Sequence, residues 1–157
     1  MDDESLDEIK EEALYSVYFD RNEDYYFRCL EKVRRGVIID FNFYAFIANV
    51  FWLSYRKMYW EFAIISLIII SLAIFSIMFD VSFLLLYFST CFILGFIANY
   101  LYIRKAIKIV EKSEEYERIG DRFTYLRKKG GISFFLLQFI LPTIIFLIIV
   151  LLISLFI

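Results

Sequence analysis

"WEFAIISLIIISLAIFSIMF", residues 60–79, decides the fold of this chain. A helix of this length covers ~30 Å, the thickness of bilayer hydrocarbon, and the charge on Glu61 lies close enough to its start to reach headgroup water. Asp80 follows, and residues 81–103 are again uncharged until Arg104. The whole run is too long for one crossing and suits two. We therefore predict a transmembrane hairpin over residues 59–103 with Asp80 at its tip.

A third apolar segment occupies residues 132–157 and contains the only proline of the chain, Pro142. A proline ring removes a backbone donor and crowds the preceding turn, so a kink is expected there. With 61% hydrophobic residues, the chain is predicted to be an all-α integral membrane protein with three transmembrane helices.

The basic residues predict the orientation. All 17 arginines and lysines lie within residues 1–57 and 104–129, on one side of the predicted hairpin. Under the positive-inside rule that side is cytoplasmic, which places the N-terminus inside and Asp80 and the C-terminus outside. The N-terminus is acidic, unlike the basic leader of a secretory signal, so we expect the spans to be retained.

Residues 37–58 carry an aromatic segment, "FNFYAFIANVFWLSY", that is too short to cross. Its 15 uncharged residues would form a helix of ~22 Å. Either an interfacial helix or a re-entrant element fits, and we favour the interfacial helix because ring side chains collect at headgroup depth. The residues that suggest this position are Phe41, Asn42, Trp52, Tyr55, Tyr59 and Trp60.

Two polar regions flank the membrane segments. Residues 1–36 are predicted to form an acidic module of two helices, the first with Leu6, Ile9, Ala13 and Val17 on its apolar face. Its acidic surface is either a solvated face or a docking surface for a basic partner. Residues 104–131 predict a cytoplasmic amphipathic helix with a bend near Ser113.

The aromatic segment resembles the signature of a family of small bacterial membrane proteins, domain of unknown function 2628. In that family an Asn-Trp-Ala-Ala-Phe core and a Trp-Leu-Leu-Tyr-Arg-Lys-Met-Tyr run precede a hydrophobic hairpin. The matching positions here are Phe41, Asn42, Ala45, Phe46, Trp52, Leu53, Tyr55, Arg56, Lys57, Met58 and Tyr59. Phe43 departs from the pattern, which has Trp there. The resemblance covers roughly residues 38–112 and implies a bacterial inner membrane, but no reaction or ligand.

Three sets of residues are candidates for functional contacts. Cys91, Gly95 and Asn99 form a stripe of small or polar groups, either packed against the first or third span or serving as a seam for a partner subunit. The basic residues near the cytoplasmic face would either bind anionic lipid or only set the topology: Arg56, Lys57, Arg104, Lys105 and Lys108. Asp80 is either a water-exposed turn residue or a residue at a pore mouth.

No enzymatic activity is expected from this sequence. It has no His, no glycine-rich phosphate loop and no nucleophile elbow, and two cysteines without His make a zinc site improbable. No cofactor is expected, and the mixed charges of the cytoplasmic regions argue against nucleic acid. The leading hypothesis is a non-enzymatic subunit that scaffolds, anchors or regulates a larger bacterial membrane complex. A homo-oligomeric pore or membrane-disrupting effector, and a modulator that binds anionic lipid, are the alternatives; the expected partners are other membrane proteins, copies of itself and lipids.

Overall fold

A computed structural model describes residues 3–134 of the chain. The described residues form seven helices and no strand, which confirms the all-α prediction. The helices are α1 (Asp3–Phe19), α2 (Glu23–Arg34), α3 (Phe43–Ala48), α4 (Val50–Tyr55), α5 (Tyr59–Phe79), α6 (Phe83–Ser113) and α7 (Ile119–Lys129). The predicted third span begins at residue 132, so most of it, including the kink predicted at Pro142, lies outside the described residues.

Helices α5 and α6 form an antiparallel hairpin. Asp80 ends α5 in the left-handed conformation, and the amide of Val81 donates to the carbonyl of Ser76 at 3.2 Å. At the other end of the hairpin, Lys105 Nζ lies 3.8 Å from a carboxylate oxygen of Glu61. By length and composition, α5 and α6 are the two helices among residues 3–134 that could cross a membrane.

The second helix of the hairpin does not end where its apolar run ends. It continues ten residues past Ile103 to Ser113, so the basic residues that follow the run belong to the same helix. The predicted amphipathic helix over residues 104–131 is thus wrong as one element. Its first part extends α6 and its second part is α7, with the break at the predicted bend.

The aromatic segment is also divided. Residues 37–42 have no helix, and α3 and α4 are separated at Asn49, whose backbone has φ 46° and ψ −124°. A single continuous helix over this segment is therefore wrong. Residues 43–55 fold back on themselves along the hairpin, with α3 packed against α6 and α4 against α5.

Helices α1, α2 and α7 pack on the last part of α6, from Asn99 onward. We call α1, α2, α7 and the α6 residues after Ile103 the head. The apolar face predicted for α1 is wrong at Ile9 and Ala13, which are exposed. The buried side chains of α1 are Leu14, Tyr15, Tyr18 and Phe19. Three of these four are aromatic, and the larger apolar area of the rings determines which face of α1 turns inward.

A diglycine holds the end of α7 against α1. The amide of Gly131 donates to the carbonyl of Tyr18 at 2.7 Å, with Gly131 at φ 70°. A Cβ atom on Gly130 would lie 2.3 Å from the same carbonyl oxygen. Only glycine permits this approach, so the diglycine sets the position of α7 as well as its end.

Candidate functional site

The stripe of Cys91, Gly95 and Asn99 on α6 lies against α3 and the residues preceding it. The amide of Asn42 donates to the carbonyl of Gly95 at 2.7 Å, and a Cβ atom on Gly95 would lie 3.0 Å from both Phe41 Cε2 and Phe46 Cβ. The stripe thus packs within the chain. Its neighbour is α3, whereas the sequence had indicated the first or third span.

Asn99 is the centre of a buried polar cluster at one end of the stripe. Its side-chain oxygen accepts from the side-chain amide of Asn42 at 2.8 Å. Its side-chain amide donates to the Asp40 carboxylate at 2.9 Å and to the Tyr25 hydroxyl at 2.6 Å. Asn42 in turn caps α3, accepting from the amide of Ala45 at 2.9 Å. We call Tyr25, Asp40, Asn42 and Asn99 the asparagine clamp, because it joins α2, α3 and α6.

Asp40 and Tyr25 are the members of the clamp that were not predicted from the sequence, and Asp40 is the charged one. Its carboxylate also accepts from Lys32 Nζ at 2.6 Å and from the Cys29 thiol at 3.5 Å. Burial raises the pKa of Asp40, but the hydrogen bonds from Lys32 and Asn99 and the charge of Lys32 outweigh it, so the pKa lies below its ordinary value. Burial and the Asp40 charge raise the pKa of Cys29 to about 11, which keeps this thiol protonated. The one available signal was a lone carboxylate at the start of an aromatic segment.

Asn49 fixes the other end of the stripe. It is 0% exposed, and its amide donates to Cys91 Sγ at 3.0 Å and to the Thr90 hydroxyl at 3.3 Å. The break between α3 and α4 is therefore held to the middle of α6 by a side chain that the sequence marked only as polar.

Arg56 is buried in the head instead of facing lipid. Only 3% of it is exposed, and its guanidinium lies 4.5 Å from the ring centroid of Tyr26 and 5.3 Å from that of Tyr102. It donates to the carbonyls of Phe19 and Arg21, both at 3.3 Å. We call Arg56, Phe19, Tyr26 and Tyr102 the arginine cage. The prediction that Arg56 contacts anionic lipid is wrong, because its charge is enclosed by rings and by the carbonyl end of α1.

Two of the other predicted lipid contacts are also used internally. Lys57 Nζ donates to the carbonyls of Arg127 and Lys128 near the end of α7, at 3.2 and 3.4 Å. Lys105 Nζ donates to the carbonyl of Lys57 at 2.8 Å. Both side chains are half-buried, whereas Arg104 and Lys108 are exposed. The five basic residues thus do not form one surface.

The aromatic residues predicted at the interface also do not lie together: some are buried and others are exposed. Trp52 is buried against Tyr102, with ring centroids 6.0 Å apart, and Tyr55 is half-buried beside Phe134. The outer residues of this set, Phe41, Tyr59 and Trp60, are exposed, and so is Asp80 at the tip of the hairpin.

The residues of these clusters hold helices in position. Each member donates, accepts or stacks to join one helix to another, and both cysteines are buried free thiols. Within residues 3–134, no group of three His, Cys, Asp or Glu side chains is placed to hold a metal ion. The arrangement fixes α3 and α4 between the hairpin and the head.

Comparison with known proteins identifies the family. The family model described as "Protein of unknown function (DUF2628)" matches residues 11–108, from the middle of α1 into the last part of α6. No curated protein and no solved structure gave a significant match. The match begins well before residue 38, where the resemblance noted in the sequence begins, so it includes the second half of α1 and all of α2. The chain belongs to the DUF2628 family, and its asparagine clamp and arginine cage lie inside the matched region.

Proposed function

We propose that this protein is a non-enzymatic, multi-pass subunit of the bacterial inner membrane that anchors or regulates a larger membrane complex. The observation that carries the proposal is the bare surface of α5. None of its 21 residues is buried among the described part of the chain, and the exposed side chains are almost all aliphatic or aromatic. A helix that is apolar on every side requires an apolar environment, and lipid supplies it.

The orientation follows from the charges. Every lysine and arginine outside the aromatic segment lies in the head or in the short links that flank its helices, and the tip of the hairpin has none. We infer that the head is cytoplasmic and that Asp80 faces outward. A third span over residues 132–157 would then place the C-terminus outside.

The head offers a surface for a partner on the side of α1 that does not pack inward. Ile9 is 56% exposed there and lines a shallow groove with Ala13 and Phe27. Acidic side chains border the groove: Glu12, Glu23 and Asp24. An apolar centre with an acidic border fits a basic amphipathic helix on the cytoplasmic side of a partner membrane protein.

The test is purification of the tagged full-length chain from its native host in mild detergent, followed by mass spectrometry and mass photometry. We expect a fixed set of foreign membrane proteins at constant stoichiometry. A clean monomer, or a discrete species made of this chain alone, would contradict the proposal.

The groove itself is tested by Ile9→Ser in the same purification. The partner should be lost or reduced at least ten-fold, and binding to the unaltered chain should weaken at high salt. Ile119→Ser is the matched control, because Ile119 is 51% exposed at the start of α7 and is not part of the groove. Equal recovery of the partner with both variants would exclude the groove.

A further inference from the structure

We propose that α3 and α4 are a re-entrant pair: they enter the head-side leaflet of the bilayer, turn at Asn49 and return without crossing. This inference rests on the proposed function, since it takes α5 and α6 to span the membrane. It replaces the interfacial helix favoured from the sequence, and it assigns the outer face of the pair to lipid acyl chains.

The contacts with α6 set the depth of the pair. Asn42 meets α6 at Gly95 and Asn99, and Asn49 meets it at Thr90 and Cys91. Helix α3 thus runs toward the tip of the hairpin. The chain then returns, and Trp52 lies beside Tyr102.

The turn at Asn49 lies at a depth close to half of the bilayer. Lys32 and Asp40 form an ion pair beside Asn99, so the hydrocarbon on this side begins near Asn99. Eight residues separate Asn99 from Cys91, which corresponds to ~12 Å along the helix axis, against ~30 Å of hydrocarbon. Asn49 therefore lies near the middle of the bilayer, far below headgroup depth.

Non-helical backbone at this depth requires internal hydrogen-bond partners, because lipid offers none. The amides of Asp40 and Asn42 donate to the carbonyls of Phe96 and Gly95 at 3.2 and 2.7 Å. At the turn, the amide of Asn49 donates to Ala45 and that of Trp52 to Asn49, at 2.9 and 3.0 Å. Two amides at the break are thus bonded within the protein at the point where lipid would penalise free ones most.

The direction of the polar side chains distinguishes the two placements. An interfacial helix turns a polar face toward water and an apolar face toward lipid. Here both asparagines of the pair face α6, and the side turned away from the protein is aromatic and aliphatic: Phe43, Tyr44, Ile47 and Phe51. Tyr44 is 74% exposed and Ile47 is 63% exposed. A surface of this composition suits acyl chains on all of its open sides.

The test is site-directed spin labelling of the full chain in vesicles of phosphatidylcholine and phosphatidylglycerol. Cys29→Ser and Cys91→Ser remove the native thiols, and the serine at position 91 keeps an acceptor for Asn49. Labels are introduced by Ile47→Cys and Phe43→Cys. Collision with oxygen, which concentrates in acyl chains, is compared with collision with a neutral nickel chelate, which stays in water.

Three reference positions calibrate depth: Leu67→Cys in the middle of α5, Trp60→Cys at its start and Lys108→Cys in the head. We expect Ile47→Cys to favour oxygen as strongly as Leu67→Cys, and Phe43→Cys to lie shallower than Ile47→Cys. Equal depth at positions 43 and 47, at the level of Trp60→Cys, would overturn the proposal in favour of a flat interfacial helix. Low collision with both reagents at position 47 would overturn it in favour of a covering protein.

The same data separate this inference from the proposed function. If Leu67→Cys favours oxygen and Ile47→Cys does not, the hairpin spans the membrane and the re-entrant pair is refuted. If Leu67→Cys collides with the nickel chelate as Lys108→Cys does, the membrane anchor itself is refuted.

Discussion

Arg56 joins four helices at one buried point. It follows α4, its guanidinium lies against rings from α2 and α6, and its donors reach the carbonyl end of α1. A planar guanidinium can stack on two rings and donate in the plane of its fork, which an ammonium cannot do. The arginine cage thus depends on the identity of this side chain as well as on its charge.

We therefore expect Arg56→Lys to destabilise the protein although it conserves the charge. Loss of ring stacking and of charged hydrogen bonds to Phe19 and Arg21 should cost roughly 2–4 kcal/mol. The midpoint of thermal unfolding in detergent would fall by about 5–10 °C. Arg104→Lys is the control: Arg104 also lies over a tyrosine, Tyr100, but is exposed, so its change should stay within about 0.5 kcal/mol. Equal midpoints for the two variants would show that the cage contributes nothing.

Asp40 predicts a pH dependence of stability. Its pKa in the folded protein lies below the ordinary value of 3.8, so the unfolded chain binds its proton first as the pH falls. Its contribution to stability is therefore complete above that ordinary value and is lost as the pH falls through the lower folded value. Thermal midpoints measured in detergent between about pH 6 and about pH 2.5 should fall more steeply for the unaltered chain than for Asp40→Asn. Parallel curves would mean that the carboxylate is not stabilised in the fold.

At the scale of elements, Gly95 sets how closely α3 can approach α6. A methyl group there would lie 3.0 Å from a ring carbon of Phe41 and from Phe46 Cβ, so α3 must shift and the bond from Asn42 to the Gly95 carbonyl must lengthen. We expect Gly95→Ala to destabilise the protein by about 1–3 kcal/mol, measured by thermal unfolding in detergent. The shift should also make Asn49 and its neighbours more accessible to hydrogen exchange.

Gly120 differs from Gly95, because a methyl group at position 120 has room. It lies in α7, and a methyl group there would meet nothing within 4 Å. Alanine favours the helix over glycine by up to about 1 kcal/mol, so Gly120→Ala should be neutral or stabilising. A destabilising Gly120→Ala together with a neutral Gly95→Ala would contradict the close contact at α3.

The elements differ in how far the sequence predicts them. Helix α5, α2 and the turn at Asp80 follow from local signals: a long uncharged run, helical spacing of apolar residues, and one charge between two runs. The break at Asn49 has no such signal, because two helices of six residues are too short to be stable alone and depend on contacts with the hairpin, α3 with α6 and α4 with α5. The inward face of α1 was missed for a related reason, since its Tyr18 and Phe19 pack on the distant ring of Tyr102, which spacing alone does not reveal. The sequence predicted the stripe on α6, but it did not predict that α3 packs against this stripe.

At the scale of the whole molecule, the head is not a domain placed beside the hairpin. Tyr102, Ala106 and Val110 belong to the same helix as the second apolar run, and they are buried in the head. Their neighbours come from α1, α2 and α7. Any displacement of the head is therefore carried directly into α6, and through the asparagine clamp into α3.

This continuity predicts that residues 1–36 cannot be removed without loss of the folded state. They contribute seven buried apolar side chains to the common core: Leu14, Tyr15, Tyr18, Phe19, Tyr26, Cys29 and Leu30. At about 1.5–3 kcal/mol for each large side chain, their burial is comparable with the whole free energy of unfolding of a typical domain, about 5–15 kcal/mol. The shortened chain should give little monodisperse protein in size-exclusion chromatography from mild detergent. A chain lacking only residues 1–5, which removes none of these side chains, is the control and should elute as the full chain does. A shortened chain that melts at the same temperature as the full one would show that the head and the hairpin are independent.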